Sequence, residues 1–182
     1  MEIENLEKIF EGLETKRKEH FRFLKEEAGM DAKAYNALPK PNEWSAHQVH
    51  RHLMKSEELS LLYLKKKVKG LENVKPISFT SKLRAKKLWL LLKAPVKVQA
   101  PKQVDVPAYY GEIGLVEKEW DELRMETLRY LKNLPAEAWK KELYKHPIVG
   151  RIGILDMIRF FGWHADRHYG QILNIHQDEL MN

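Results

Sequence analysis

The 182-residue chain has no cysteine. Disulfides, thiolate nucleophiles and cysteine-type zinc sites are thereby excluded, and any metal must be held by histidine, carboxylate or water. The absence agrees with a cytoplasmic setting, which is the expected localisation. Long apolar runs are missing as well. The longest cluster, LWLLL at 88–92, is flanked by lysines and falls far short of the roughly 20 residues a spanning helix needs, so no membrane partner is expected. The first residues, MEIENLEKIFEGLE, are acidic and amphipathic, with neither a basic start nor an apolar core. No secretory signal is expected there.

What is present describes a globular chain: 43% hydrophobic and 32% charged residues, on a length suited to one core and one domain spanning 1–182. The net charge of +6 raises the question of nucleic acid, whose phosphates attract clustered lysine and arginine. The basic residues are spread among 26 acids, and the one local concentration, SKLRAKKLWLLLKAPVKV at 81–98, has no recognition motif and no alternating aromatics. No specific nucleic-acid partner is expected.

Helical periodicity dominates. Leu6, Ile9, Phe10, Leu13, Phe21 and Leu24 give a first amphipathic helix over about 3–27. Gly29, Pro39 and Pro41 end it, and Ser45 with Gln48 three residues on forms a capping box for a second helix over 46–68. Gly70, Pro76, Pro95, Pro101 and Pro107 punctuate the next stretch, within which 81–93 forms a separate helix. A third long helix fits 112–131, with Leu115, Val116, Trp120, Leu123, Thr127 and Tyr130 on one side. Pro135, Pro147 and Gly150 precede a fourth over 154–175. With no convincing strand, the expected fold is all-α: a four-helix bundle with a long connection between helices two and three.

At about 100° per residue, each histidine can be placed on its helix. On helix two the apolar stripe runs through Val49, Leu53, Ser56, Leu59 and Tyr63 and takes in His52, while His47 and His50 fall on the opposite side or its edge. On helix four Met157, Phe161, His168, Ile172 and Ile175 share a face, His164 lies one turn before His168, and Asp166 points away. The inward set, His52, His164 and His168, meets only if helices two and four are neighbours. Two readings stay open: core histidines with internal hydrogen bonds, or ligands of a metal site. Three neutral imidazoles together need several internal partners to offset desolvation, and a divalent cation offers a simpler arrangement.

Two stretches carry a family resemblance. WSAHQVHRHLMKSE, residues 44–57, resembles the helix-two signature of the DinB superfamily, and HPIVGRIGILDMIRFFGWHADRHYGQI, residues 146–172, resembles its C-terminal signature. The resemblance implies a four-helix bundle of the DinB-like type and a divalent-metal site on three histidines, corresponding position by position to His52, His164 and His168. It also implies an activity class. Members of known activity include metal-dependent transferases and isomerases that use low-molecular-weight thiols such as bacillithiol or mycothiol, and others are grouped as metal-dependent hydrolases. The region 75–111 matches no one activity, so the substrate stays a small molecule of unspecified structure.

Three histidines with an open position describe a catalytic rather than a structural site. Zinc, nickel and iron all accept imidazole, and a low-molecular-weight thiol or water fills the gap as nucleophile. Gln171, about one turn past His168, is either an orienting partner for an imidazole or a surface glutamine. Glu119 is either a general base or an exposed edge carboxylate. His20 caps the core or lines the pocket, His146 belongs to a turn, and Trp44 packs at the bundle end. The competing functional reading is a non-catalytic ligand-binding or stress-response bundle that keeps the scaffold. Five consecutive large apolar residues at 88–92 cannot all face one core. The surplus is expected either to close a homodimer, with Trp89 as a contact, or to fold over the pocket as a lid.

Overall fold

In the computed structural model, which describes residues 2–41, 43–95, 104–107 and 110–180, four long helices carry the chain. They are α1 (Glu2–Arg22), α3 (Ala46–Val68), α5 (Ile113–Lys132) and α6 (Ile154–Leu180). Between the first two lies the short α2 (Ala32–Asn36), and between the next two lies α4 (Phe79–Lys93). Both α1 and α3 pack against α5 and α6, which makes a four-helix bundle. The decisive neighbours are α3 and α6. Helix α4 lies outside the bundle, against α6.

Local chemistry sets the helix ends. Ser45 accepts from the Gln48 amide at 3.2 Å while the Gln48 side chain accepts from the Ser45 amide at 3.1 Å, so both donors are satisfied at the start of α3. Ser78 and Ser81 make the same reciprocal pair, and α4 therefore begins at Phe79, two residues before the position read from periodicity. Helix α1 runs into one π-helical turn, Phe23–Glu27, and stops at Gly29 with φ +60°. The Met30 amide there reaches back to the Leu24 carbonyl at 2.9 Å, a closure that requires a left-handed residue.

Two features depart from the sequence reading. Residues Tyr144–His146 (β1) and Gly150–Ile152 (β2) form an antiparallel hairpin; three-residue strands are too short to register as a periodic pattern, and this places His146 in a strand. On α5, Leu115 is 48% exposed while Arg124 is buried. The apolar side of α5 is cut by charge because Arg124 has buried carboxylates to meet.

Apolar burial is concentrated in two clusters. One gathers Leu6, Leu64, Leu88, Leu131, Leu143, Ile152 and Met157; the other gathers Phe21, Leu24, Tyr35, Val49, Trp120 and Ile172. Each fully buried side chain of this size contributes roughly 1.5–3 kcal/mol. A charged network ties α1, α3 and α5 together. Arg124 donates to both oxygens of buried Glu57, at 3.0 and 2.7 Å, and to Glu14 at 2.9 Å. The Trp120 indole also donates to Glu57, at 3.0 Å. Arg17, buried beside them, joins Glu14 and Asp121. Burial alone disfavours the Arg124 charge, yet the carboxylates of Glu57 and Glu14 raise its pKa above the usual value, so the guanidinium stays charged.

Candidate metal centre

Because α3 and α6 are neighbours, His52 faces the pair that one turn of α6 stacks on a single side. The Nε2 atoms of His52 and His164 lie 3.3 Å apart, and those of His168 and His164 lie 3.1 Å apart. Suitable nitrogens of all three rings fall within 4.8 Å of one another. Metal–nitrogen bonds of about 2.0–2.1 Å place neighbouring ligand nitrogens roughly 2.9–3.4 Å apart in tetrahedral or octahedral geometry. The observed separations fit that spacing.

Proton accounting favours the same conclusion. His52 Nδ1 lies 3.0 Å from the Val104 carbonyl oxygen, which can only accept, so the proton of a neutral His52 sits on Nδ1 and its Nε2 presents a lone pair. His168 Nδ1 lies 2.9 Å from Gln171 Oε1, and donation to that oxygen leaves a second lone pair on His168 Nε2. Both lone pairs face His164 Nε2, which can carry one proton and satisfy one of them. A cation satisfies all three.

The environment keeps the rings neutral. Burial lowers the pKa of each: His52, where the Val104 hydrogen bond partly opposes the shift; His164, to well below the usual value, with His168 and His52 adding to the effect; and His168, to about 4, again with His52 adding. Neutral imidazole is the ligating form. Phe160 stacks on His164 at 5.0 Å between centroids and Trp44 packs beside His52 at 4.9 Å, so aromatic walls hold two of the rings.

The other candidate residues divide. Gln171 stands where an orienting partner belongs, on His168 Nδ1. Glu119 lies outside the histidine group: it is ion-paired with Arg51 in a cleft of about 440 Å³ that also takes in Met54, Lys55, Val106 and Leu123. His146 is buried with its ring against Phe160 at 4.7 Å, and its Nδ1 accepts from the Ile148 amide at 3.2 Å. Asp166 points outward and binds Lys16 at 2.8 Å.

His47 and His50 correct the sequence reading, because both are fully buried. The first turns of α3 have no outer side: α2 covers them, and the backbone of Gly111 lies so close that a Cβ there would fall 2.2 Å from His47 Nε2. His50 hydrogen-bonds Tyr35 at 2.8 Å and His20 at 3.1 Å, and His20 stacks on Tyr169 at 3.7 Å. A single-stripe helical wheel cannot reveal a helix end enclosed on every side.

The fold and site define a class: a four-helix bundle whose facing helices bring together three histidines that could hold a metal ion. Residues 19–172 match the family model of the DinB superfamily, and the chain belongs to that superfamily. It is 25% identical over 147 residues to the uncharacterized protein YuaE of Bacillus subtilis (strain 168), an alignment that covers 81% of this chain and 86% of that protein. No solved structure matches significantly.

Proposed function

We propose that this chain is a cytoplasmic, divalent-metal-dependent enzyme that activates a small nucleophile at His52, His164 and His168, most directly a low-molecular-weight thiol for transfer to an electrophilic substrate. The observation that carries the proposal is the convergence of the three Nε2 atoms, at 3.1 and 3.3 Å, with more lone pairs than protons between them. Zinc, nickel or iron suits such a donor set. When bound there, the metal supplies Lewis acidity that lowers the pKa of a thiol or water reaching it and generates a nucleophile near neutral pH.

The remaining chemistry belongs to the protein. Three ligands leave a coordination position for an outside molecule, and the absence of cysteine means that a thiol nucleophile has to arrive as a cosubstrate. The Val104 carbonyl fixes the His52 tautomer, and Gln171 does the same for His168. Glu119 carries less of the reading, since its action as a base requires substrate to occupy the cleft it shares with Arg51. Hydrolysis uses the same centre with water in place of the thiol.

The test is turnover. Metal-loaded protein is supplied with cysteine-derived and sugar-linked thiols and an electrophilic acceptor, and in parallel with ester and amide substrates and no thiol. Metal-dependent conjugation that disappears in His52→Ala is the expected result. Turnover that survives His52→Ala sinks the assignment of the reaction to this centre. Metal binding without turnover in either series favours the non-catalytic ligand-binding bundle.

A further inference from the structure

Helix α4 carries charge of one sign. Within Phe79–Lys93 stand Lys82, Arg84, Lys86, Lys87 and Lys93, and no acid. Its inner side is anchored by buried Ser81, Ala85 and Leu88, and the Arg167 guanidinium from α6 binds the Leu92 and Ala94 carbonyls at 3.1 and 2.8 Å, holding its C-terminal end. The helix is thus fixed with one face outward. On that face Phe79 is 75%, Leu83 49% and Leu90 52% exposed. At about 100° per residue, these three and Lys86 fall within an arc of roughly 60°, with exposed Lys82 and Lys93 along one border and exposed Lys87 along the other. Buried Glu142 faces Arg84 at 3.7 Å.

We infer that this face of α4 docks the protein on an anionic phospholipid surface, with Phe79, Leu83 and Leu90 entering the interfacial layer and the bordering lysines meeting the headgroups. The helix is apolar on its buried side too, so the contact rests on its outer face alone, where shallow apolar insertion and attraction of lysine to anionic lipid can act together. No described helix is long and apolar enough to cross a membrane; the inferred contact is peripheral. Two other occupants fit less well. A second copy of the chain, one of the two outcomes expected for the 88–92 run, would set Lys82, Lys86, Lys87 and Lys93 of both copies against one another if this face paired with itself about a twofold axis. A nucleic acid would use the lysines but leave the protruding leucines in water.

Co-sedimentation with phosphatidylcholine vesicles, alone and with about one-third phosphatidylglycerol, in roughly 0.15 M salt, provides the test on full-length protein. Binding to the mixed vesicles and not to the neutral ones is expected. Each lysine near an anionic surface is worth about fivefold in partitioning, so the triple variant Lys82→Glu, Lys86→Glu, Lys87→Glu should bind at least about a hundredfold more weakly. Phe79→Ser, Leu83→Ser, Leu90→Ser leaves the charge unchanged and should lose at least about tenfold. A charge-matched control, Lys8→Glu, Lys18→Glu, Lys33→Glu on other exposed positions, should lose far less than the α4 lysine variant. All substitutions are at exposed side chains, and unchanged thermal unfolding of each variant checks that the fold is intact. The inference is overturned by absent binding, by equal losses in the control and α4 lysine variants, or by a serine variant that binds like the parent. It is equally overturned by duplex DNA or RNA displacing the vesicles through the same lysines, or by a parent dimer that the serine variant abolishes.

Discussion

Residues acting in pairs give the histidine centre its character. His168 relies on Gln171 for the orientation of its ring, because the Nδ1–Oε1 contact of 2.9 Å fixes which nitrogen faces the other histidines. Loss of such a partner typically costs 10–100-fold in metal affinity. Gln171→Ala should therefore weaken metal binding by about that factor while helicity stays the same, as read by competition with a chromophoric chelator. Glu57 has a different role. It is buried and meets Arg124 and Trp120, and removing one partner of a buried pair costs about 3–5 kcal/mol. Glu57→Gln should lower unfolding stability by that amount in urea titration. Helical spacing made the three convergent histidines legible, since their positions follow from angles along two helices. It did not reveal Glu57, Arg124, His47 or His50 as buried, because a polar residue enters a core only when a partner from another element meets it, and that partner is invisible along one chain segment.

At the level of elements, punctuation was the clearest signal. Ser45 and Gln48 mark the start of α3, and the hydrogen bonds that close the box are present; Ser45→Ala should cost about 1 kcal/mol in thermal or urea unfolding and leave metal stoichiometry unchanged. The shortest elements were missed, even α2, whose start Asp31 caps by accepting from the Ala34 amide at 2.8 Å. The hairpin of β1 and β2 has three residues a side, and α2 has five, each shorter than the window in which a period can be counted. The apolar run at 88–92 divides as helical geometry requires: Leu88 is buried, Trp89, Leu91 and Leu92 are half-buried, and Leu90 is exposed. The last part of the basic stretch, 96–98, lies outside the described residues.

The whole molecule carries an acid sensitivity through its buried histidines. Burial lowers the pKa of His20 and of His146 to about 4 each, whereas in the unfolded chain both titrate near 6.5. Between those values the unfolded state binds more protons than the folded state, so unfolding free energy falls as pH drops from about 6.5 toward 4, by up to about 1.4 kcal/mol per pH unit for each such group. Chelator-treated protein should show this slope in denaturant titrations, and His146→Gln should reduce it by about one histidine's share. Metal-loaded protein should show a steeper loss, because protons also compete for the ligands. The central claim, that His52, His164 and His168 hold a divalent metal, is tested most directly by calorimetric titration of tag-free, chelator-stripped protein with zinc, nickel and iron at neutral pH, alongside His164→Ala. Binding of a single ion per chain by the parent, lost in the variant, is the expected result. No stoichiometric binding by the parent, or a variant that binds as tightly, would contradict it.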